Sequence, residues 1–290
     1  MDLNEFAEEI GPSGPVTVAG LATRGGPVPD VRSVMAPSGI EWVQPDEMTI
    51  CCGAGTPVEE VDAVLSVHGQ SVAIPPSGTI GGALAVGQSG LRRLGYGPVR
   101  DTLLQAHYVN ARGEVVKAGG PTVKNVSGFD LCRLLVGSHG TLGFLGDVIL
   151  RTRPRAKHEQ WFVSADHPES VVSQLYRPTS VLWDGTSTWV LLEGNRHDVE
   201  AQAGHARLRR SDPPGRLPTG GRWSVAPSEL AGLVGTGEFV AEIGVGIVHH
   251  ERRQPARETQ TAVAELHQRI KHQFDPEGRL NPGVDVLSLV

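Results

Sequence analysis

The sequence predicts an α+β fold, on three observations. Hairpin-like pairs of apolar segments alternate with short helical segments, without the regular βαβ repeat of a doubly wound sheet. Glycines recur at short intervals through 76–146, between segments that read as strands. After Pro154 the texture changes to a β-α-β-β-α order, the skeleton of a smaller antiparallel sheet with helices on one side.

Taken in order, the chain opens with a helix over 2–10, because Leu3, Phe6, Ala7 and Ile10 share a face; GPSG at 11–14 stops it. PVTVAG (15–20) reads as a strand entering the loop LATRGGPVPD, and 31–45 supply one or two short strands. MTICC (48–52) is a compact apolar strand. Thr56 is placed to cap the next helix, with Pro57 at its first position, Glu59 at its third and Val58, Val61 and Leu65 as its stripe. SVAIPP (71–76) is a strand running into the loop SGTIGGALAVGQSG. Residues 102–109 form a strand, and 110–120 a hairpin turning between Asn110 and Gly113. A short helix at 129–136 and the turn GSHGTLG lead into the strand 144–154.

Beyond 158, HEQWFVSAD, TSVLWDG and TWVLLEGN read as strands. Helical spacing falls at 167–177 and at 194–210, where Val199, Ala203 and Leu208 recur. A proline-rich link, SDPPGRLPTGG, precedes GEFVAEIGVGIVHH, one strand or a pair. The clearest helix is 257–273, with Ala262, Leu266 and Ile270 at i+4; DPEGRLNPG ends it. The expected organisation is a domain at 1–155, a smaller one at 156–256, and a C-terminal helix and tail, 257–290, packing back on the first.

Composition narrows the function. Net charge is −6 without a basic field, which gives nucleic acid no footprint. Cys51, Cys52 and Cys132 are odd in number and lack ligand spacing, so no disulfide scaffold, metal site or iron–sulfur site is expected, and a reducing cytoplasmic setting is. The opening MDLNEFAEEIG is acidic with no apolar core, unlike a signal peptide. No window reaches the roughly 18 apolar residues of a membrane span, so direct insertion is not expected. The G-x-G-x-x-G dinucleotide fingerprint, the P-loop, the G-x-S-x-G elbow and H-E-x-x-H are all absent in the required context.

The glycine turns carry the chemistry. Gly78, Gly81 and Gly82 lie with Thr79 at a strand-to-helix step, and Gly137, Gly140 and Gly143 surround a turn entering a strand. Repeated glycine lets backbone approach a ligand, and two such loops can hold a diphosphate without a lysine; tight turns and close helix packing would use the same residues. Arg92, Arg93, Arg100 and Asp101 crowd one connection with Tyr96 and Gly97, suiting either ion pairing or ligand contact. Lys124, Asn125, Ser127 and Asp130 sit together in VKNVSGFD, where Asn and Ser before a helix read as ordinary caps. His139, between glycines, faces ligand or solvent. His249 and His250 are adjacent on a strand and point opposite ways, so they are poor joint metal ligands; one of them faces a cleft.

The ordered set Ser77-Gly78-Thr79-Ile80-Gly81-Gly82, Tyr96-Gly97-Pro98-Val99-Arg100-Asp101, Gly119-Gly120, Val123 to Leu131 and Gly137-Ser138-His139-Gly140-Thr141-Leu142-Gly143 resembles the FAD-binding domain of the vanillyl-alcohol oxidase/PCMH-type flavoproteins, and within them the glycolate oxidase FAD-binding subunits. The closing 274–283, Phe-Asp-Pro-Glu-Gly-Arg-Leu-Asn-Pro-Gly, resembles their C-terminal signature. The resemblance implies a two-subdomain PCMH-type fold with a smaller antiparallel α+β cap bearing much of the substrate site. It implies non-covalent FAD, because the first loop has no histidine or cysteine to carry a link. Gly20 and Thr23 would contact the cofactor from that loop. Ser77, Gly78, Thr79, Ile80, Gly81 and Gly82 would offer backbone N–H groups to its diphosphate. Tyr96, Gly97 and Asp101 would line it, and Gly137, Gly140, Thr141 and Gly143 would bracket its other side.

The reaction implied is hydride transfer from the α-carbon of a 2-hydroxy acid to flavin N5. His249 or His250 would be the base and Arg93 the cation for the carboxylate. Electrons would pass to partners, a second flavoprotein subunit and an iron–sulfur subunit, and any membrane association would be through them. Two other readings stay open: a scaffold subunit of the same complex that has lost or weakened FAD binding, and a stand-alone FAD-dependent alcohol or sugar oxidase. The first is motivated by Leu21 and Ala22, which stand where the family has glycines and whose Cβ atoms oppose a positive φ.

Overall fold

The computed structural model describes residues 1–121, 130–255 and 260–289. The capping roles expected of Asn125 and Ser127, and Lys124 beside them, lie outside the described residues. The described strands are β1 (Val16–Ala19), β2 (Arg32–Met35), β3 (Ile40–Gln44), β4 (Thr49–Gly53), β5 (Gln70–Val72), β6 (Leu103–Val109), β7 (Val115–Gly119), β8 (Phe144–Pro154), β9 (His158–Ser164), β10 (Ser180–Trp183), β11 (Thr188–Gly194), β12 (Arg209–Ser211), β13 (Gly221–Ser224), β14 (Phe239–Glu242) and β15 (Ile247–His250). The helices are α1 (Leu3–Ile10), α2 (Val58–Val67), α3 (Ile80–Val86), α4 (Arg93–Tyr96), α5 (Leu131–Leu135), α6 (Pro168–Val172), α7 (Arg196–His205) and α8 (Thr261–Phe274). None of them is long and apolar enough to cross a membrane. Two compact units form: Met1–Gly90 with Pro98–Arg155 and Thr259–Leu289, and Leu91–Gly97 with Ala156–Glu258.

The first unit is built on an antiparallel sheet in the order β3-β4-β8-β6-β7, with β5 pairing the far end of β8. Strand β4 is buried along its whole length, which is why its sequence is continuously apolar rather than alternating. Its Ile50 and Cys52 join Val61 and Leu65 of α2, Ile80 and Leu84 of α3, and Leu150 in one core. Each fully buried Leu or Ile there contributes roughly 1.5–3 kcal/mol. A smaller cluster holds α1 and the parallel pair β1–β2: Phe6, Ile10, Val16 and Val34 meet Phe144 and Leu280. Helix α1 starts in a capping box, where the Asp2 side chain accepts from the Asn4 and Glu5 N–H groups and Glu5 returns a bond to the Asp2 N–H.

Three local expectations change. Thr56 does not cap α2: Pro57 precedes the helix, and the buried Thr56 hydroxyl bonds both backbone groups of Gly39. Helix α5 is capped by Asp130, whose side chain accepts from the Arg133 N–H. Helix α8 leaves most of its expected stripe in water, with Leu266 52% exposed, and only Ile270 and Phe274 pack on the core.

The second unit is a seven-stranded antiparallel sheet in the order β12-β9-β11-β10-β14-β15-β13. Val171 of α6 and Val199 and Ala203 of α7 pack with Phe162, Val181, Val190 and Leu192. The segment 237–250 is a hairpin, and the proline-rich link ends in β13, a strand the sequence did not reveal. Leu91–Gly97, which sequence reading leaves in the first domain, groups with this unit. Arg92 pairs with Glu159 at 2.6 Å and Glu193 at 2.7 Å, Tyr96 donates its hydroxyl to Glu193 at 2.6 Å, and the Gly95 N–H reaches Thr179 O at 3.1 Å.

Candidate functional site

The first unit carries a cleft where three turns converge: the turn after β1, the entry to α3 and the turn before β8. One part is lined by small and apolar residues, Ala36, Ala54, Gly55, Gly81, Leu135, Gly140, Gly143 and Leu145 among them. An adjoining part is walled by Leu21 to Gly26 and His139, and Gly20, Thr79, Gly82 and Ala85 border both. Among the described residues, Arg24 is the only Lys, Arg, Asp or Glu on either wall.

The sequence places the loops here through side-chain and backbone bonds. Gly78 has φ +72°, and a Cβ on it would stand 2.2 Å from Thr23 Oγ1, so only glycine lets the two loops meet. Arg24 bridges them, donating from Nη1 to Ser77 O at 2.6 Å and from Nη2 to Pro75 O at 3.2 Å and Ser77 Oγ at 3.4 Å. Ala22 adopts φ 52°, a left-handed conformation normally left to glycine. His139 also has a positive φ, 51°; its N–H donates to Ala85 O and its carbonyl accepts from Asn281 Nδ2 at 2.6 Å. Burial pushes its imidazole pKa down, so the ring is neutral at pH 7.

The expected cofactor residues divide. Gly20, Thr23, Thr79, Gly81, Gly82, Gly140 and Gly143 line the cleft, and Ser77 and Gly78 sit at its edge against Arg24 and Thr23. Ile80 is fully buried in the core. Three of the amides expected to be free at the α3 entry are engaged: the Ile80 N–H donates to Thr56 O at 2.9 Å, Gly81 N–H to Ala54 O at 2.7 Å and Gly82 N–H to Thr79 Oγ1 at 3.1 Å. These bonds tie the start of α3 to the segment 54–56 and to Thr79. Gly137 and Thr141 build the turn behind the wall: Gly137 N–H donates to Leu84 O, and the buried Thr141 hydroxyl donates to Ser138 O. Asp101 ends a 3₁₀ turn and pairs with Arg133 at 3.4 Å. Tyr96 and Gly97 belong to the second unit, where the Tyr96 hydroxyl is engaged by Glu193. Arg24, Ala54 and Ala85 were not singled out by the sequence, because nothing in their local pattern marks them.

The second unit holds Arg93, His249 and His250. His250 is corrected: it is fully buried, stacked on Trp223 at 4.0 Å, and satisfied at both nitrogens. Its Nδ1 accepts from the Arg252 N–H at 3.0 Å, so Nε2 carries the proton toward Thr236 Oγ1 at 3.1 Å, and the ring is a structural element rather than a base. His249 points to the other face and meets Glu242 Oε1 at 2.9 Å through Nε2. Glu242 is 3% exposed and its Oε2 has no partner among the described residues. Arg222 lies directly across from His249 in the β13–β15 register. Burial lowers its pKa, Glu242 opposes that and neighbouring Arg93 adds to it. The free cysteines are buried, with Cys52 pushed up to about 12 and Cys132 to about 11, so neither is a thiolate at pH 7.

Comparison with known proteins fits this arrangement. Residues 13–119 match the family of FAD binding domains. The glycolate oxidase subunit GlcE of Escherichia coli is 28% identical over 84% of this chain and 84% of its own length. These likenesses support a GlcE-like flavoprotein of the VAO/PCMH type. The D-lactate dehydrogenase of Archaeoglobus fulgidus is 36% identical over 40% of this chain, but the match spans only 27% of that enzyme. An alkyldihydroxyacetonephosphate synthase structure aligns with 97% of this chain and 74% of its own at a TM-score of 0.68, with 15% identity, which shows the fold alone. The glycine-bordered cleft falls within the matched FAD binding domain at the first two turns, and the His139 turn lies beyond it.

Proposed function

We propose that the chain is the FAD-binding subunit of a 2-hydroxy-acid dehydrogenase or oxidase complex of the glycolate type. The observation that carries the reading is the cleft itself: walls of glycine and small residues with, among the described residues, one cation and no carboxylate suit a flavin nucleotide held non-covalently by its anionic diphosphate. The bound flavin would supply the redox chemistry, accepting a hydride from the α-carbon of the acid. The chain's own residues bind and orient the cofactor in the first unit. In the second, His249, held at Nε2 by Glu242, is the group suited to take the hydroxyl proton, and Arg93 the group suited to hold the carboxylate. Electrons leave to partner subunits, a second flavoprotein and an iron–sulfur protein. A scaffold that binds FAD weakly is the second reading, supported by the engaged amides of Ile80, Gly81 and Gly82 and by Ala22 in a glycine conformation.

The test is an absorbance spectrum of the chain purified with added FAD, before and after denaturation. Flavin bands with about one FAD released per chain support the subunit reading, and 2-hydroxy acids are then screened with co-purified partners. A colourless, folded protein that takes up no FAD sinks it and leaves the scaffold.

A further inference from the structure

We propose that Arg24 supplies the charge that holds the diphosphate of the flavin nucleotide. The inference rests on the FAD reading above and assigns a binding role to a first-loop side chain that the family resemblance does not mark. Among the described residues, Arg24 is the only charged side chain on the cleft walls, and no carboxylate faces it there. Its protein bonds are to two neutral carbonyls and one hydroxyl, which fix the guanidinium without cancelling its charge. Nε–H and the second Nη1–H have no partner among the described residues. Burial lowers its pKa with no anion opposing the effect, yet a guanidinium stays protonated under any ordinary condition. A half-buried cation without a counter-charge is unfavourable by itself, and an anion seated beside it removes that penalty.

At the α3 entry three of the expected backbone donors are already engaged. The amides of Ile80, Gly81 and Gly82 donate into the protein, and Leu21 and Ala22 put side chains where a closer approach of the first loop would need glycine. The guanidinium bridges that loop to Pro75 and Ser77, so it stands at the joint of the two segments that border the polar part of the cleft.

The test compares FAD with riboflavin, which has the same ring system and no diphosphate, by quenching of flavin fluorescence on titration with the full chain. Arg24→Gln keeps an amide able to donate to the Ser77 and Pro75 carbonyls and removes the charge. FAD affinity of R24Q is expected to fall about tenfold or more, the size of a charge-assisted contact, while riboflavin affinity is unchanged. Arg24→Lys is expected to recover most of the loss, and added salt to weaken FAD binding by the native chain more than by R24Q. Unchanged FAD affinity in R24Q overturns the proposal. So does an R24K variant as weak as R24Q, or a parallel loss of riboflavin, either of which would mark Arg24 as a loop strut. A native chain that binds no FAD overturns the cofactor reading itself, and the proposal with it.

Discussion

Ala22 is a residue whose backbone the fold treats as a glycine, and that can be tested by giving it one. Its φ of 52° places it in the left-handed region, and its side chain is exposed, so removing the methyl group sacrifices no packing. The left-handed conformation costs an L-residue roughly 1–2 kcal/mol, and Ala22→Gly relieves it. Against that, glycine raises the entropy of the unfolded chain by roughly 0.4–1 kcal/mol. The balance predicts that A22G stabilises the first unit by about 0.5–1 kcal/mol. Ala22→Val should do the reverse, because a β-branched residue at positive φ is a severe outlier. Urea unfolding followed through Trp42, the first unit's one tryptophan, measures both. If the loop is pre-formed for FAD, the gain is common to the free and the bound chain, and the FAD Kd of A22G is expected to be unchanged. An A22G variant less stable than the native chain, or an A22V variant indistinguishable from it, would refute the reasoning, because the loop would then not hold the left-handed turn in solution.

Three further outcomes are expected. Gly78→Ala puts a Cβ 2.2 Å from Thr23 Oγ1 and 2.7 Å from Arg24 Nη1 at φ +72°, so it should separate the two loops and weaken FAD binding in titrations, at a stability cost of roughly 1–2 kcal/mol. Burial pushes the pKa of His250, and of His139, below the unfolded value of roughly 6.5. A depressed histidine pKa means the unfolded chain binds more protons below that point, so stability is complete above about pH 6.5 and declines as pH falls beneath it. Urea midpoints should therefore drop from pH 7 to pH 5.5, and His250→Asn should start lower at pH 7 but show a shallower slope. Arg279→Lys should cost at least about 3 kcal/mol by urea midpoint, because several buried carbonyls lose a donor at roughly 1–3 kcal/mol each.

What was legible in the sequence was local. The stripe Leu3, Phe6, Ala7 and Ile10 marked α1, and Gly78 announced a turn that its positive φ and its approach to Thr23 both require. The reading that His249 and His250 face opposite ways was right, because period two is a backbone property. Which of them lay in the core was not legible, since that depends on Trp223 from a strand paired through a long loop. The same limit hid β13 itself, four residues after a run of prolines whose strand character comes only from pairing with β15. Helix α8 shows the complementary failure: periodicity correctly put Ala262, Leu266 and Ile270 on one face, but carried no information on whether anything covers it. At the cleft, the glycines were visible and the hydrogen-bond partners of their amides were not, because the carbonyls of Ala54 and Thr56 approach from another segment. Arg24 was invisible for the same reason.

The C-terminal signature, remote in sequence from the glycine turns, belongs with them for a physical reason. Leu280 lies beside Val16 in parallel register, with Val16 N–H donating to Arg279 O and Asn281 N–H to Val16 O, so the tail extends the sheet of β1 that leads into the first loop. Buried Arg279 gathers the carbonyls of Ile10, Gly11, Ser13, Gly14 and Ala111, which fixes the exit of α1 just before that strand. Asn281 donates to the His139 carbonyl, and Lys271 to the Thr141 carbonyl, so the same segment also holds the turn at the opposite wall. Asp275 orients the tail by accepting from the Arg279 and Leu280 amides and from Lys271. One stretch therefore sets the positions of two of the three turns that form the cleft. A truncation that removed it would leave every glycine in place and still be expected to open the site, because what those glycines permit is only a close approach, and the tail is what enforces it.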